Sequence, residues 1–251
     1  MEFFEADDGV RIAYAVEGEG SPVLLAHGFA STHEVNWVAT GWVKALAQAG
    51  YRVIMPDMRG HGASGKPHDA HAYTLSAMAG DLVALLDHLS EPGADLMGYS
   101  MGAMVSLVAA MEAPERFDRI VAAGVGAKLL DPKRDPGPVI EALLTDDPAS
   151  IEDKAALLFR SFADQNKQDR EALAACFEAV RAPFPVDGLS RIARPVLVVA
   201  GETDVQAGAP GPLAARMPKG EAFTVPKRDH MKTVGDRAYK EAVLGFFGGS
   251  E

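Results

Sequence analysis

The amino-acid sequence predicts an α/β fold, a mostly parallel sheet covered by helices on both faces. Three features carry that expectation. Largely apolar runs recur at residues 22–26, 51–56 (interrupted only by Arg52), 120–125 and 195–200, and such runs suit strands buried on both sides. Segments with helical spacing lie between the earlier runs, as at Met78, Leu82, Leu85, Leu86 and Leu89. A strand-like segment from Ala94 turns sharply at Gly98-Tyr99-Ser100-Met101-Gly102 and continues as an apolar helix. Alternation of this kind packs helices on a parallel sheet.

Taken in order, residues 3–6 and 11–16 read as two strands joined at Asp8-Gly9, a good hairpin pair. Residues 22–26 form a buried strand ending at His27-Gly28-Phe29, followed by a loop holding Asn36 and Trp37. A helix over 41–49, a strand over 51–56 ending at Asp57, and a helix over 76–89 come next. After the Ser100 turn, one more strand is expected over 120–125. The alternation then stops. Helical stretches at 139–144, 151–162 and 170–181 are punctuated by Pro132, Pro136, Pro138, Pro148, Pro183 and Pro185. The strand pattern resumes at 195–200 and ends at Gly201-Glu202-Thr203-Asp204. A helix near 212–216, a strand near 222–225 and a final helix near 239–247 complete the chain. The expected division is a core of residues 1–126 and 194–251 with a helical lid at 127–193.

Composition narrows the function. The chain has 251 residues and 48% hydrophobic content, enough for one large domain. A formal net charge of −11 would repel nucleic acid. Cys176 is the only cysteine, so no internal disulfide forms and a reducing, cytoplasmic setting is expected. The first residues are acidic and lack the pattern of a signal peptide. No run of about 18 apolar residues suggests a membrane span. Self-association is left open.

The site is expected at the carboxyl ends of the strands, where ligands bind in open parallel sheets. His27-Gly28-Phe29, Asp57, Ser100 and Asp204 all sit there. A serine nucleophile needs a base, and the base needs an orienting carboxylate. Seven histidines fall at 27, 33, 61, 68, 71, 88 and 230, and His230 alone follows the last strand. Asp204 is the expected acid, with Glu202 its rival; Asp229 adjoins the base. His68 and His71 lack a third ligand, so no metal is expected. Gly124-Val125-Gly126 lacks the rest of a dinucleotide motif.

These segments resemble the α/β-hydrolase superfamily, in its small lidded esterase and lactonase-like branch. The matching stretches are His27-Gly28-Phe29, Asp57-Met58-Arg59-Gly60-His61-Gly62-Ala63-Ser64, Gly98-Tyr99-Ser100-Met101-Gly102, Gly201-Glu202-Thr203-Asp204 and Asp229-His230. The resemblance implies an eight-stranded α/β-hydrolase sheet and a cofactor-free serine hydrolase acting on a small ester or lactone. Ser100 would be the nucleophile, His230 the base and then acid, and Asp204 its orienter. The backbone N–H groups of Phe29 and Met101 would form the oxyanion hole. Asp57 and Arg59 would bond nearby backbone, and His27 would tie its own loop. Trp37, Phe159, Phe162 and Phe177 are candidates for the substrate pocket. Serine at the turn argues against dehalogenase and epoxide hydrolase chemistry, where an aspartate attacks. Perhydrolase, thioesterase and carbon–carbon bond hydrolase activities stay open, as does a receptor of this fold with marginal turnover.

Overall fold

A computed structural model describes residues 1–131 and 135–248 of the chain, so Pro132 lies outside the described residues. The strands are β1 (Glu2–Glu5), β2 (Arg11–Glu17), β3 (Ser21–Ala26), β4 (Tyr51–Pro56), β5 (Ala94–Tyr99), β6 (Phe117–Ala123), β7 (Val196–Gly201) and β8 (Gly220–Val225). They form one eight-stranded sheet in the order β1-β2-β4-β3-β5-β6-β7-β8. β1 and β2 make an antiparallel hairpin, and β2 runs antiparallel to β4. The remaining neighbours are parallel.

Helices α1 (Trp42–Gln48), α2 (Leu75–His88) and α3 (Met101–Glu112) connect the first half of the sheet. Helices α4 (Gly137–Leu144), α5 (Lys154–Gln165) and α6 (Arg170–Val180) lie between β6 and β7. Helices α7 (Gly211–Ala214), α8 (His230–Thr233) and α9 (Arg237–Gly248) follow. No helix among the described residues is long and apolar enough to cross a membrane.

Strand periodicity explains the two-sided core. Side chains alternate between faces along a strand. On β3, Val23 and Leu25 join Trp42 and Leu46 of α1 and Val243 and Phe247 of α9. Leu24 and Ala26 join Leu82 and Leu86 of α2 and Leu107 of α3. Each large side chain so buried contributes about 1.5–3 kcal/mol. A third cluster joins α4, α5 and α6 through Leu143, Ala163, Leu173 and Phe177, and it rests on Phe29 and Ala30 beyond β3. Arg160 is buried and donates to the carbonyls of Ala142 (2.9 Å) and Thr145 (2.6 Å), closing the end of α4.

Some boundaries differ from the sequence pattern for identifiable reasons. β6 begins at Phe117 because Asp118 and Arg119, which break the apolar run, do not break the strand; Arg119 pairs with Asp95 of β5 at 2.7 Å. α5 begins at Lys154, since the Asp153 side chain accepts from the Ala156 N–H at 2.8 Å and caps the helix there. The stretch expected to be a loop around Asn36 is a single π-helical turn, Glu34–Val38. Leu158 of α5 faces outward and is 70% exposed. Arg59, expected to bond backbone, is buried in ion pairs with Asp81 (2.6 Å) and Asp8 (2.7 Å), adding only the Ala72 carbonyl.

Behind the end of β3, two histidine rings meet edge to face at 5.2 Å. His61 donates from Nδ1 to the Arg59 carbonyl at 2.9 Å, and burial pushes its pKa down to about 3. His27 donates from Nδ1 to the Gly28 carbonyl (2.8 Å) and accepts the Met58 N–H at Nε2 (2.9 Å). Burial lowers its pKa as well. Both rings are therefore neutral in the fold, whereas in an unfolded chain each titrates near ~6.5. The unfolded state binds more protons below that value. Stability is thus fully present above it and is lost as pH falls toward about 3. Tm should drop between roughly pH 7 and pH 5, and His61→Gln should show a shallower drop than wild type. Parallel Tm curves for the two proteins would contradict this account.

Candidate active site

Ser100 occupies a backbone conformation that a residue with a side chain rarely adopts, with φ 55° and ψ −112°. The surroundings hold it there. Its N–H donates to the Ala123 carbonyl at 2.7 Å, and its own carbonyl accepts from Ala103 (3.0 Å) and Met104 (3.2 Å) at the start of α3. The flanking glycines are required by close approach. A Cβ on Gly98 would lie 2.3 Å from the Gly102 oxygen, and one on Gly102 would lie 2.0 Å from the Ala26 oxygen. The turn therefore presses on the end of β3 and lifts the Ser100 hydroxyl off the sheet.

His230, expected beyond the last strand, is the first residue of α8. Asp229 caps that helix by accepting from the Lys232 N–H at 2.8 Å, which helps hold its carboxyl below the usual range. Tyr99 donates its hydroxyl to the His230 carbonyl, so the residue beside Ser100 also fixes the histidine backbone. The imidazole Nδ1 lies 2.8 Å from Oδ2 of Asp204, and Nε2 lies 3.1 Å from Oγ of Ser100. An ionised carboxylate only accepts, so the partner assigns the proton to Nδ1 and leaves the Nε2 lone pair facing the hydroxyl. Asp204 is buried, and its other oxygen accepts from the N–H groups of Gln206 (3.0 Å) and Ala207 (2.9 Å). Glu202 is instead engaged by the Lys227 N–H at 2.7 Å.

The peptide between Gly28 and Phe29 is aimed from behind. In a trans peptide the C=O and N–H point in opposite directions. The His27 ring and the Ser31 N–H (3.3 Å) both hold the Gly28 carbonyl, which turns the Phe29 N–H the other way. Asn36 adds a third tie, its Oδ1 accepting the Gly28 N–H at 3.0 Å. Asp57 fixes the next layer by accepting from the His33 N–H (2.9 Å) and the Ala63 N–H (2.8 Å). Burial opposes its charge, but these donors and the His33 ring hold its carboxyl well below the usual range. Among the described residues, the Phe29 and Met101 N–H groups donate to no other backbone group.

A cavity of about 340 Å³ opens over Ser100 and His230, with Phe29, Met101, Phe159 and Phe177 in its wall. The three phenylalanine rings pack edge to face, Phe29 on Phe177 at 5.1 Å and on Phe159 at 5.8 Å. Two expected pocket residues are elsewhere. Trp37 is fully buried in the core, 6.4 Å from the Trp42 ring, because the π-helical turn directs it under the sheet rather than toward the serine. Phe162 packs within the cluster of α4, α5 and α6, while Phe159, one turn earlier, reaches the cavity. Gly124 was not expected here. At φ 67° it adjoins the histidine, and a Cβ would crowd the Tyr99 ring (3.1 Å) and the His230 ring (3.2 Å). Its position at the end of a buried strand was the available signal.

Comparisons with known proteins agree with this architecture. The alpha/beta hydrolase fold family matches residues 21–175. The 3-oxoadipate enol-lactonase 2 of Acinetobacter baylyi is 32% identical over 209 residues, covering 78% of this chain and 76% of that protein. An epoxide hydrolase of Caballeronia sordidicola is 40% identical over 119 residues, but the match spans 47% of this chain and only 35% of that protein. The crystal structure of a hydrolase from Pseudomonas aeruginosa PA01 superposes with a TM-score of 0.82 at 29% identity, covering 99% of this chain and 98% of that one. With its eight-stranded sheet and its match over residues 21–175, the chain belongs to the α/β-hydrolase fold family.

Proposed function

We propose that this hydrolase cleaves a small ester or lactone through an acyl-enzyme on Ser100. The observation that carries the proposal is the continuous line from Asp204 through His230 to Ser100, at 2.8 and 3.1 Å, beneath a cavity. Oγ of Ser100 attacks the substrate carbonyl carbon while its proton passes to Nε2 of His230. The carbonyl oxygen takes up the negative charge and accepts from the Phe29 and Met101 N–H groups. One such donor is typically worth roughly 3–4 kcal/mol of transition-state stabilisation. The tetrahedral adduct collapses, and His230 returns the proton to the leaving alkoxide. Water then enters, gives a proton to His230, attacks the acyl carbon and releases the acid with Ser100 restored. Asp204 keeps Nδ1 protonated and stabilises the imidazolium in both halves of the cycle.

The partial match to an epoxide hydrolase does not carry over to this chemistry. Attack by a serine on an epoxide carbon would leave an ether, which water does not readily cleave. A carbonyl substrate instead leaves an ester that the same histidine can hydrolyse. The enol-lactonase relative, aligned over 78% of the chain, supports a carbonyl substrate.

Residues 127–193 act as a lid in this proposal. Phe159 and Phe177 bring an apolar wall over Ser100, which excludes water and strengthens the oxyanion contacts. A cavity near 340 Å³ is at the small end for ligand sites, so compact acyl groups are favoured over long chains. The lone cysteine, Cys176, is buried and suits a reducing compartment such as the cytoplasm.

Ser100→Ala should reduce hydrolysis of p-nitrophenyl acetate by ~10⁴–10⁶ with an unchanged circular dichroism spectrum. Turnover near wild type would remove Ser100 from the mechanism. Phe159→Ala and Phe177→Ala, assayed on p-nitrophenyl esters of increasing acyl length, should shift the optimum toward longer chains in at least one variant. Unchanged length profiles in both, with only a lower Tm, would make the lid a structural appendage.

A further inference from the structure

Ser100 and Asp204 stand just beyond the buried strands β5 and β7. His230 has no such support. It opens α8, a helix of four residues past the edge strand β8. A helix that short cannot hold its own shape, since nearly all of its carbonyls lack an intrahelical donor. Its seat depends on donors from elsewhere. Two carbonyls, one at each end, accept from buried side chains of the core. The His230 carbonyl takes the Tyr99 hydroxyl. The carbonyl of Val234, which ends the helix, takes the indole N–H of Trp42 at 2.6 Å.

Trp42 is the first residue of α1, 192 positions from Val234 in the chain. Its fully buried indole stands edge to face on Tyr239 of α9 at 4.7 Å and on Trp37 at 6.4 Å, which fixes the direction of its N–H. The same cluster holds Val23 and Leu25 of β3, the strand that leads into the Gly28–Phe29 peptide. Trp42 therefore rests on the packing beneath one proposed oxyanion donor and bonds the helix that carries the proposed base. Trp37 provides a contrast. It is buried in the same cluster, but its indole N–H meets no acceptor among the described residues. An indole donates only through that N–H. Trp37 thus supplies packing alone, and Trp42 supplies packing and a bond to the end of α8.

Resting on the Asp204–His230–Ser100 reading above, we propose that Trp42 is a positioning residue for His230: its indole N–H holds the far end of α8 and keeps the imidazole in line between Asp204 and Ser100. With Tyr99 at one end and Trp42 at the other, the helix cannot pivot about the His230 carbonyl. Loss of the Trp42 bond frees the Val234 end. The imidazole then spends less time at its 2.8 Å contact to Asp204 and its 3.1 Å contact to Ser100. Both halves of the catalytic cycle pass a proton through that ring, so both slow. The cavity wall comes largely from other elements, so substrate binding is retained.

The test compares Trp42→Phe with Trp37→Phe on p-nitrophenyl acetate. Trp42→Phe should lower kcat about tenfold or more and leave KM within about twofold. Trp37→Phe should keep kcat within about twofold, even where its Tm falls as far. In a His230→Ala background, Trp42→Phe should remove no more of the residual rate, because its effect passes through the imidazole. Equal kcat losses in the two tryptophan variants, a wild-type kcat in Trp42→Phe, or a further loss of about tenfold in the His230→Ala background would each overturn the proposal. If Trp42→Phe does not fold, Trp37→Phe protein is prepared with 3-benzothienylalanine in place of tryptophan. The chain has two tryptophans, so this keeps the ring shape and removes the N–H of Trp42 alone. The same fall in kcat is expected, and a kcat equal to that of Trp37→Phe would overturn the proposal. Near-wild-type hydrolysis by His230→Ala would refute the triad reading itself. Lost hydrolysis in His230→Ala with full kcat in Trp42→Phe would refute the role of Trp42 alone.

Discussion

The constraint on which the site depends is the contact between the Ser100 turn and the end of β3. Gly102 leaves no room for a Cβ beneath the Ala26 carbonyl, and Gly98 leaves none beneath Gly102 itself. That closeness brings the Ser100 backbone and the Gly28–Phe29 peptide together; a Cβ on Gly28 would lie 3.6 Å from the Ser100 Cβ. The serine hydroxyl, the Met101 N–H and the Phe29 N–H come from two neighbouring strands that are remote in sequence. Their relative placement follows from backbone packing in the sheet, with no long side chain in between. Positive φ at Ser100 is the strain this packing imposes, and the Ala123 carbonyl of β6 helps hold it.

Around that contact the buried polar groups form a second layer with a distinct task. His27, Asn36 and Asp57 do not line the cavity, yet each fixes a backbone group near the Phe29 peptide, and the His33 ring braces the Asp57 carboxylate at 2.8 Å. Tyr99 and Asp229 do the same for the histidine at the far side of the serine. Burying neutral histidine rings and an ionised aspartate costs stability unless their hydrogen bonds are met. Here they are spent on aiming donors and an imidazole, which links the acid sensitivity expected of the fold to the geometry of the site.

Much of this was legible in the sequence because it rests on local rules. Apolar runs without alternation marked the strands buried on both faces, and the glycines around Ser100 marked the sharp turn. His230 stood out by position, as the one histidine beyond the last strand. What stayed hidden depends on three-dimensional direction. Asp118 and Arg119 masked the start of β6, because a cross-strand ion pair with Asp95 satisfies the charge there. Trp37 lies near the His27-Gly28-Phe29 motif in sequence, but its helical turn sends it into the core. Phe159 and Phe162 share one helix and similar chemistry, and tertiary packing alone separates the cavity wall from the cluster behind it. Gly124, Lys128 and Arg181 carry no motif; they meet the site through strand order and lid packing.

The central claim is that Ser100 becomes acylated during turnover. It is tested most directly by mixing the enzyme rapidly with p-nitrophenyl acetate, quenching in acid, and mapping the peptides by mass spectrometry. The account predicts a burst of about one p-nitrophenolate per active enzyme. It also predicts an acetyl group on the peptide containing Ser100, lost on longer incubation at neutral pH. Steady hydrolysis with no acetylated Ser100 peptide at any time, or acetylation confined to another residue, would contradict it.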